Sequence, residues 1–150
     1  MLHKIFMTSL VVFFIGGGVV YFATNPSYQE AFQARVYYVL GNYAKAKELA
    51  SSAYAKNGYN KMAFTVMMQS TIALGYENYL KEGSRYLVVI DEISKKSDYT
   101  ESDKAKVKMI CDVMIDSYDG LNATKVTDKN LVKESHLMLL RFKELRAELF

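Results

Sequence analysis

Proline is almost missing from this 150-residue chain, with one in total, and no stretch alternates apolar and polar residues as a half-buried strand does. These two absences exclude a sheet and predict an all-α fold. Cysteine occurs once, at Cys111, so no intramolecular disulfide can form and cysteine usage is silent about compartment. Histidine occurs only at His3 and His136, which with one cysteine is too few converging donors for a zinc site. No glycine loop is followed by the lysine of a phosphate cradle, because Gly16, Gly17 and Gly18 lie inside an apolar run. The formal charge is a mild +3 without a dense stripe of Lys or Arg, so the footprint expected of a nucleic-acid binder is lacking. No cofactor, metal, nucleic acid or small-molecule substrate is expected, and the chain reads as non-catalytic.

What is present begins with that apolar run. Residues 5–24 contain no charged side chain, and as a helix they reach about 30 Å, the thickness of a bilayer core. They are read as a transmembrane signal-anchor occupying residues 1–24. A cleaved signal peptide is the competing reading, with His3 and Lys4 as its basic flank. Its apolar core usually has only about seven to fifteen residues, and cleavage after Ala23 puts bulky Tyr21 where a small residue is needed. No cysteine directly follows the run, so a lipoprotein is excluded. Lys4 precedes the span and no basic residue follows it until Arg35, which by the positive-inside rule sends the remaining chain away from the cytoplasm. The expected location is the bacterial inner membrane, single-pass, with the rest in the periplasm.

Asn25-Pro26-Ser27 then breaks the helix, since proline cannot continue the ladder. A second helix is expected with Phe32, Val36, Tyr37, Val39 and Leu40 as its apolar side, ending at Gly41. A third, from about Tyr43 to Lys56, buries Ala46, Leu49, Ala50, Ala53 and Tyr54 and meets Asn57-Gly58. A fourth runs from about Asn60 to Gly75, and a fifth from about Glu77 to Lys96 buries Tyr79, Leu80, Tyr86, Leu87, Val89, Ile90 and Ile93. Thr100 or Ser102 caps the next helix, which starts at Glu101, places Cys111 in a stripe with Val107, Ile110, Met114 and Tyr118, and ends near Asp119-Gly120. The last helix follows Thr127-Asp128 with Leu131, Met138, Leu139, Phe142, Leu145 and Leu149 on one face. The soluble count is six helices in three hairpins.

Gly41, Gly58 and Gly75 stand seventeen residues apart, and the pairs Leu40-Gly41 and Leu74-Gly75 are separated by thirty-four, the period of a helical-hairpin repeat. The stretch Leu40-Gly41-Asn42-Tyr43-Ala44-Lys45-Ala46, followed by Ala50 and Ala53, resembles the tetratricopeptide repeat family. Gly41, Tyr43, Ala46 and Ala53 fall where that family has its glycine, aromatic and two small residues, and Ala34 and Tyr37 suit its first helix. Phe64 and Leu74-Gly75 carry the resemblance into a second repeat, while Leu80 and Leu87 stand in place of its small residues. The resemblance implies a short α-solenoid of about three hairpins over residues 25–150, with a partner segment held along its first helices. The implied groove residues are Tyr28, Arg35, Tyr38, Met62, Thr65, Gln69 and Ile72. They suit an apolar helix, and Arg35 alone does not make a carboxylate clamp. Core packing is the competing assignment for each of them.

The resulting expectation is a membrane-anchored, non-catalytic scaffold or adaptor binding other proteins of a membrane-associated complex, such as a flagellar motor or secretion machinery. Two alternatives stay open. One is a membrane-tethered periplasmic chaperone. The other is a peptidoglycan-active enzyme, for which Glu134-Ser135 resembles the catalytic pair of lysozyme-like transglycosylases over two residues only.

Overall fold

The computed structural model describes the backbone of residues 2–150 and the side chains of residues 6–150; His3, Lys4 and Ile5, which begin the expected anchor, lie outside the described side chains. Among the described residues all regular structure is helical, in six helices: α1 (Leu2–Thr24), α2 (Pro26–Val39), α3 (Tyr43–Lys56), α4 (Lys61–Ser94), α5 (Glu101–Asp119) and α6 (Lys129–Leu149). Two compact units divide the chain, Met1–Ser70 and Thr71–Phe150, and α4 contributes its first turns to one and the remainder to the other.

Within α1, Phe6–Thr24 is long and apolar enough to cross a membrane, and none of it is buried inside the protein. Asn25 ends it: its backbone is extended, and its side-chain oxygen accepts from Ser27 N as Pro26 opens α2. The turn between α2 and α3 is a Schellman closure. Gly41 N–H donates to Tyr38 O and Asn42 N–H to Tyr37 O, with Gly41 at φ +78°, the left-handed conformation that favours glycine. Asn42 then caps α3 by accepting from Lys45 N at 3.1 Å.

Alanines let this hairpin close. Ala34, Ala46 and Ala50 form one buried cluster with Val66, and Ala31 and Ala53 another with Ala63, so the first turns of α4 complete a three-helix packing. The apolar side of α2 is not the side that packs: Phe32, Val36, Tyr37, Val39 and Leu40 are all exposed. The physical reason is size. The face that meets α3 carries Ser27, Ala31 and Ala34, and only residues that small allow the close approach that α3's own alanines create.

One expectation is corrected, at Gly75. No turn forms there, and the two helices expected on either side are one helix of 34 residues, so five helices rather than six follow α1 and the second hairpin does not exist. Buried positions keep helical phase through the glycine: Ala63, Val66, Ser70, Ala73, Tyr76, Tyr79 and Gly83 recur at three- and four-residue steps. A glycine inside a helix costs about 1 kcal/mol relative to alanine, which is too little to break such a stripe.

In the second unit α4, α5 and α6 enclose Tyr79, Ile90, Ile93, Val107, Ile110, Cys111, Met114 and Phe142. Here the expected boundaries and core of α5 are met, including Thr100 as N-cap and Cys111 fully buried. Of the expected face of α6, Leu139 and Phe142 are buried, Leu131, Met138 and Leu145 half-buried, and Leu149 exposed.

Candidate functional site

An apolar concavity of about 650 Å³ lies where α1 ends. Its walls are Val19, Phe22 and Ala23 of α1, Tyr28, Gln29 and Phe32 of α2, and Met62 of α4. The Tyr28 ring stands edge-on to Phe22 with centroids 4.6 Å apart, and Gln29 Nε2 donates to the carbonyl of Ala23, meeting one of the open acceptors at the end of α1. No Asp, Glu, His, Lys or Cys lines the cleft. Its chemistry is therefore that of apolar contact, without a group to move a proton near neutral pH.

From Phe32 the apolar surface continues along α2. Phe32, Val36 and Val39 follow at four- and three-residue steps on one face and are 63%, 43% and 77% exposed, with Leu40 at 73% beside them. Thus α2 has two apolar faces, a small one inside the hairpin and a large uncovered one.

The implied groove residues divide between the units. Tyr28 and Met62 share the cleft; Met62 also packs against the alanine clusters. Tyr38 is half-buried against the Ala34 cluster with its ring 5.4 Å from Tyr43. Arg35 and Thr65 are exposed, Thr65 donating to Lys61 O at 2.8 Å, and Gln69 is half-buried. Ile72 is half-buried in the second unit. At the base of the hairpin Lys56 pairs with Glu30, and this hydrogen bond holds the Glu30 carboxyl below its ordinary range.

Other concavities have charged or polar side chains at their edges. Lys108, Lys143 and Arg146 surround a space of about 450 Å³ with Ile115 and Phe150, and Arg146 Nε pairs with Asp112 at 2.6 Å. Glu134 is exposed whereas Ser135 is fully buried, so the two residues point to different sides of α6. Tyr79 is buried with no hydrogen-bond partner on its hydroxyl, and burial, with Tyr118 beside it, pushes the phenol up to about 12. Burial likewise raises the Cys111 thiol, which disfavours its thiolate form. Among the described residues no three His, Cys, Asp or Glu side chains converge as metal ligands.

Family models, curated proteins and solved structures give no match to this chain. What it can do follows from its own surfaces. The second unit, too, leaves large apolar side chains uncovered: Val88 on α4, Met109 and Val113 four residues apart on α5, and Leu137 on α6. The sequence pattern does not reveal the outer face of α2, because apolar periodicity marks which residues share a face and not which face is buried. The alanines at 31 and 34, with those at 46, 50 and 53, are the signal in the sequence for the inner face.

Proposed function

We propose that this chain is a membrane-anchored docking subunit without catalytic activity, held by α1 and binding other proteins of a cell-envelope assembly. The observation that carries this reading is the uncovered Met109–Val113 pair on α5, 60% and 44% exposed, in a chain that also bears a membrane-length helix. Paired large apolar residues on a helix surface suit a partner helix or groove, and anchoring raises the effective concentration at which even a small patch is used. The resemblance of the α2–α3 hairpin to a tetratricopeptide repeat supports the same class of function: Tyr43, Ala46 and Ala53 are buried and Gly41 makes the turn. In this reading the first unit is one such hairpin closed by the start of α4, and the soluble part faces away from the cytoplasm, as the charges flanking the span favour.

The test is purification of the full chain in mild detergent, with quantitative mass spectrometry of what accompanies it. The expected result is one or a few partners at fixed stoichiometry, lost in a Met109→Asp, Val113→Asp variant that keeps its helical signal. Many clients at low yield indicate a chaperone instead, and no stable partner overturns the scaffold. A reporter fused after Phe150 and active only outside the cytoplasm tests the orientation.

A further inference from the structure

The large face of α2 lies beside the end of the membrane-length helix, and what covers it follows from that position. We infer that α2 is an interfacial helix, lying along the bilayer surface with Phe32, Val36 and Val39 among lipid acyl chains and the cleft beneath it filled by lipid. The inference rests on α1 being a membrane anchor.

Three observations carry it. First, Val19 and Phe22 form one wall of the cleft and belong to the last turns of the apolar helix. Those residues meet lipid whenever α1 is inserted, so the space they border is open to lipid at the same depth. Second, α2 does not continue the line of α1. An unbroken helix separates residues 19 and 32 by about 20 Å along its axis, yet both line one cleft, so the chain bends at Asn25–Pro26 and brings Phe32 nearer to Val19 than a straight helix does. Third, the charges suit a surface of anionic headgroups. Residues 25–70 contain Arg35, Lys45, Lys47, Lys56 and Lys61 against only Glu30 and Glu48. Arg35, one helical turn from both Phe32 and Val39 in sequence terms, is exposed and has the length to reach headgroups while the apolar stripe sits deeper. Tyr21 and Tyr28, whose rings are 6.2 Å apart, supply the amphipathic aromatics favoured at that depth.

The chain contains no tryptophan, so each introduced tryptophan is a sole reporter. Full-length Phe14→Trp, Phe32→Trp, Val39→Trp and Met109→Trp variants are reconstituted in vesicles of phosphatidylcholine and phosphatidylglycerol with brominated acyl chains. The expected result is loss of most emission for F14W with deep bromines, and for F32W and V39W with bromines near the headgroup, while M109W is unaffected. Quenching of F14W without F32W and V39W overturns the interfacial helix and leaves the anchor standing. A blue-shifted but unquenched F32W assigns the face to a protein surface and overturns it equally. Absence of quenching in F14W removes the anchor and this inference together, and equal quenching at all four sites marks non-specific adsorption and overturns it.

Discussion

Asn60 Nδ2 donates to both the hydroxyl and the carbonyl oxygen of Ser27, at 2.9 and 3.2 Å, although 33 residues separate them and both are buried. The Ser27 hydroxyl in turn donates to Ala53 O at 2.8 Å, and Asn60 Oδ1 accepts from Ala63 N at 3.1 Å as the cap of α4. One side chain thereby ties the start of α2, the end of α3 and the start of α4. Every polar atom in this set has a partner, which is the condition for burying such groups without loss. Asn60→Ala removes a helix cap and leaves the Ser27 carbonyl without that donor in the interior. The expected cost is about 2–4 kcal/mol. Urea unfolding in detergent checks it, with hydrogen exchange showing the loss confined to α2, α3 and the first turns of α4.

Elements whose limits are set locally were legible in the sequence, and those set by long-range packing were not. For α5, Thr100 and Asp103 form a reciprocal capping box and Gly120 follows the last residue, so both ends are written within a few residues of the boundary. The contact between Ser27 and Asn60 carries no such mark, although Asn60 is itself a local cap of α4. Each is a polar residue whose burial depends on the other, and a single chain read in order gives no sign that they meet. The outer face of α2 was legible as apolar but not as uncovered, for a related reason: large apolar side chains usually indicate a core, and the alanine packing against α3 and α4 that leaves this face outside is set between helices. As for the candidate site, Tyr28 and Met62 were named from the family resemblance and do share the cleft, whereas its α1 wall was invisible to a pattern that began after Pro26.

Gly75 and Gly41 give opposite expectations for the same substitution. At Gly75 an added Cβ stands 3.5 Å from Leu121 Cδ2, an ordinary contact, and the backbone is helical. Gly75→Ala is expected to stabilise by about 0.5–1 kcal/mol through helix propensity. At Gly41 there is open space but φ is +78°, so Gly41→Ala is expected to destabilise by about 1–2 kcal/mol. Equilibrium unfolding of the two variants reads both signs. A loss at Gly75 comparable to that at Gly41 locates a turn in α4 and restores the second hairpin.

At Gly83 the side chains of Met138 on α6 and Met114 on α5 occupy the space where a Cβ would stand. A Cβ there meets Met138 Cγ at 2.9 Å, Met138 Sδ at 3.0 Å and Met114 Cε at 3.2 Å. Alanine requires the Met138 side chain to shift from Cγ outward and the fully buried Met114 methyl to give by a few tenths of an ångström, against a gain of about 1 kcal/mol in helix propensity. Gly83→Leu has no such outlet and is expected to cost about 1–3 kcal/mol by overpacking. Combining it with Met138→Ala should return part of that loss, because the two changes act on the same space; purely additive behaviour in a double-mutant cycle places the conflict elsewhere.

Acid sensitivity should centre on Asp103. Lys96 Nζ donates to its Oδ1 at 2.6 Å, and the Thr100 hydroxyl and backbone N–H donate to its Oδ2 at 2.7 and 3.2 Å. The Lys96 hydrogen bond, then those from Thr100, holds the carboxyl at about 2. Each of these bonds favours the charged form, whereas in the unfolded chain the group titrates near about 3.9. As pH falls, the unfolded chain therefore takes up this proton before the folded one does, and protonation pulls the equilibrium towards unfolding. The contribution of Asp103 is complete above its unfolded value and disappears as pH descends from about 4 towards about 2. Unfolding midpoints measured from pH 6 to 2 should fall through that window. Asp103→Asn should lower the midpoint at pH 6 and flatten the fall, because an amide cannot titrate and receives the Lys96 donor less well. An unchanged slope in that variant assigns the acid sensitivity to other carboxylates.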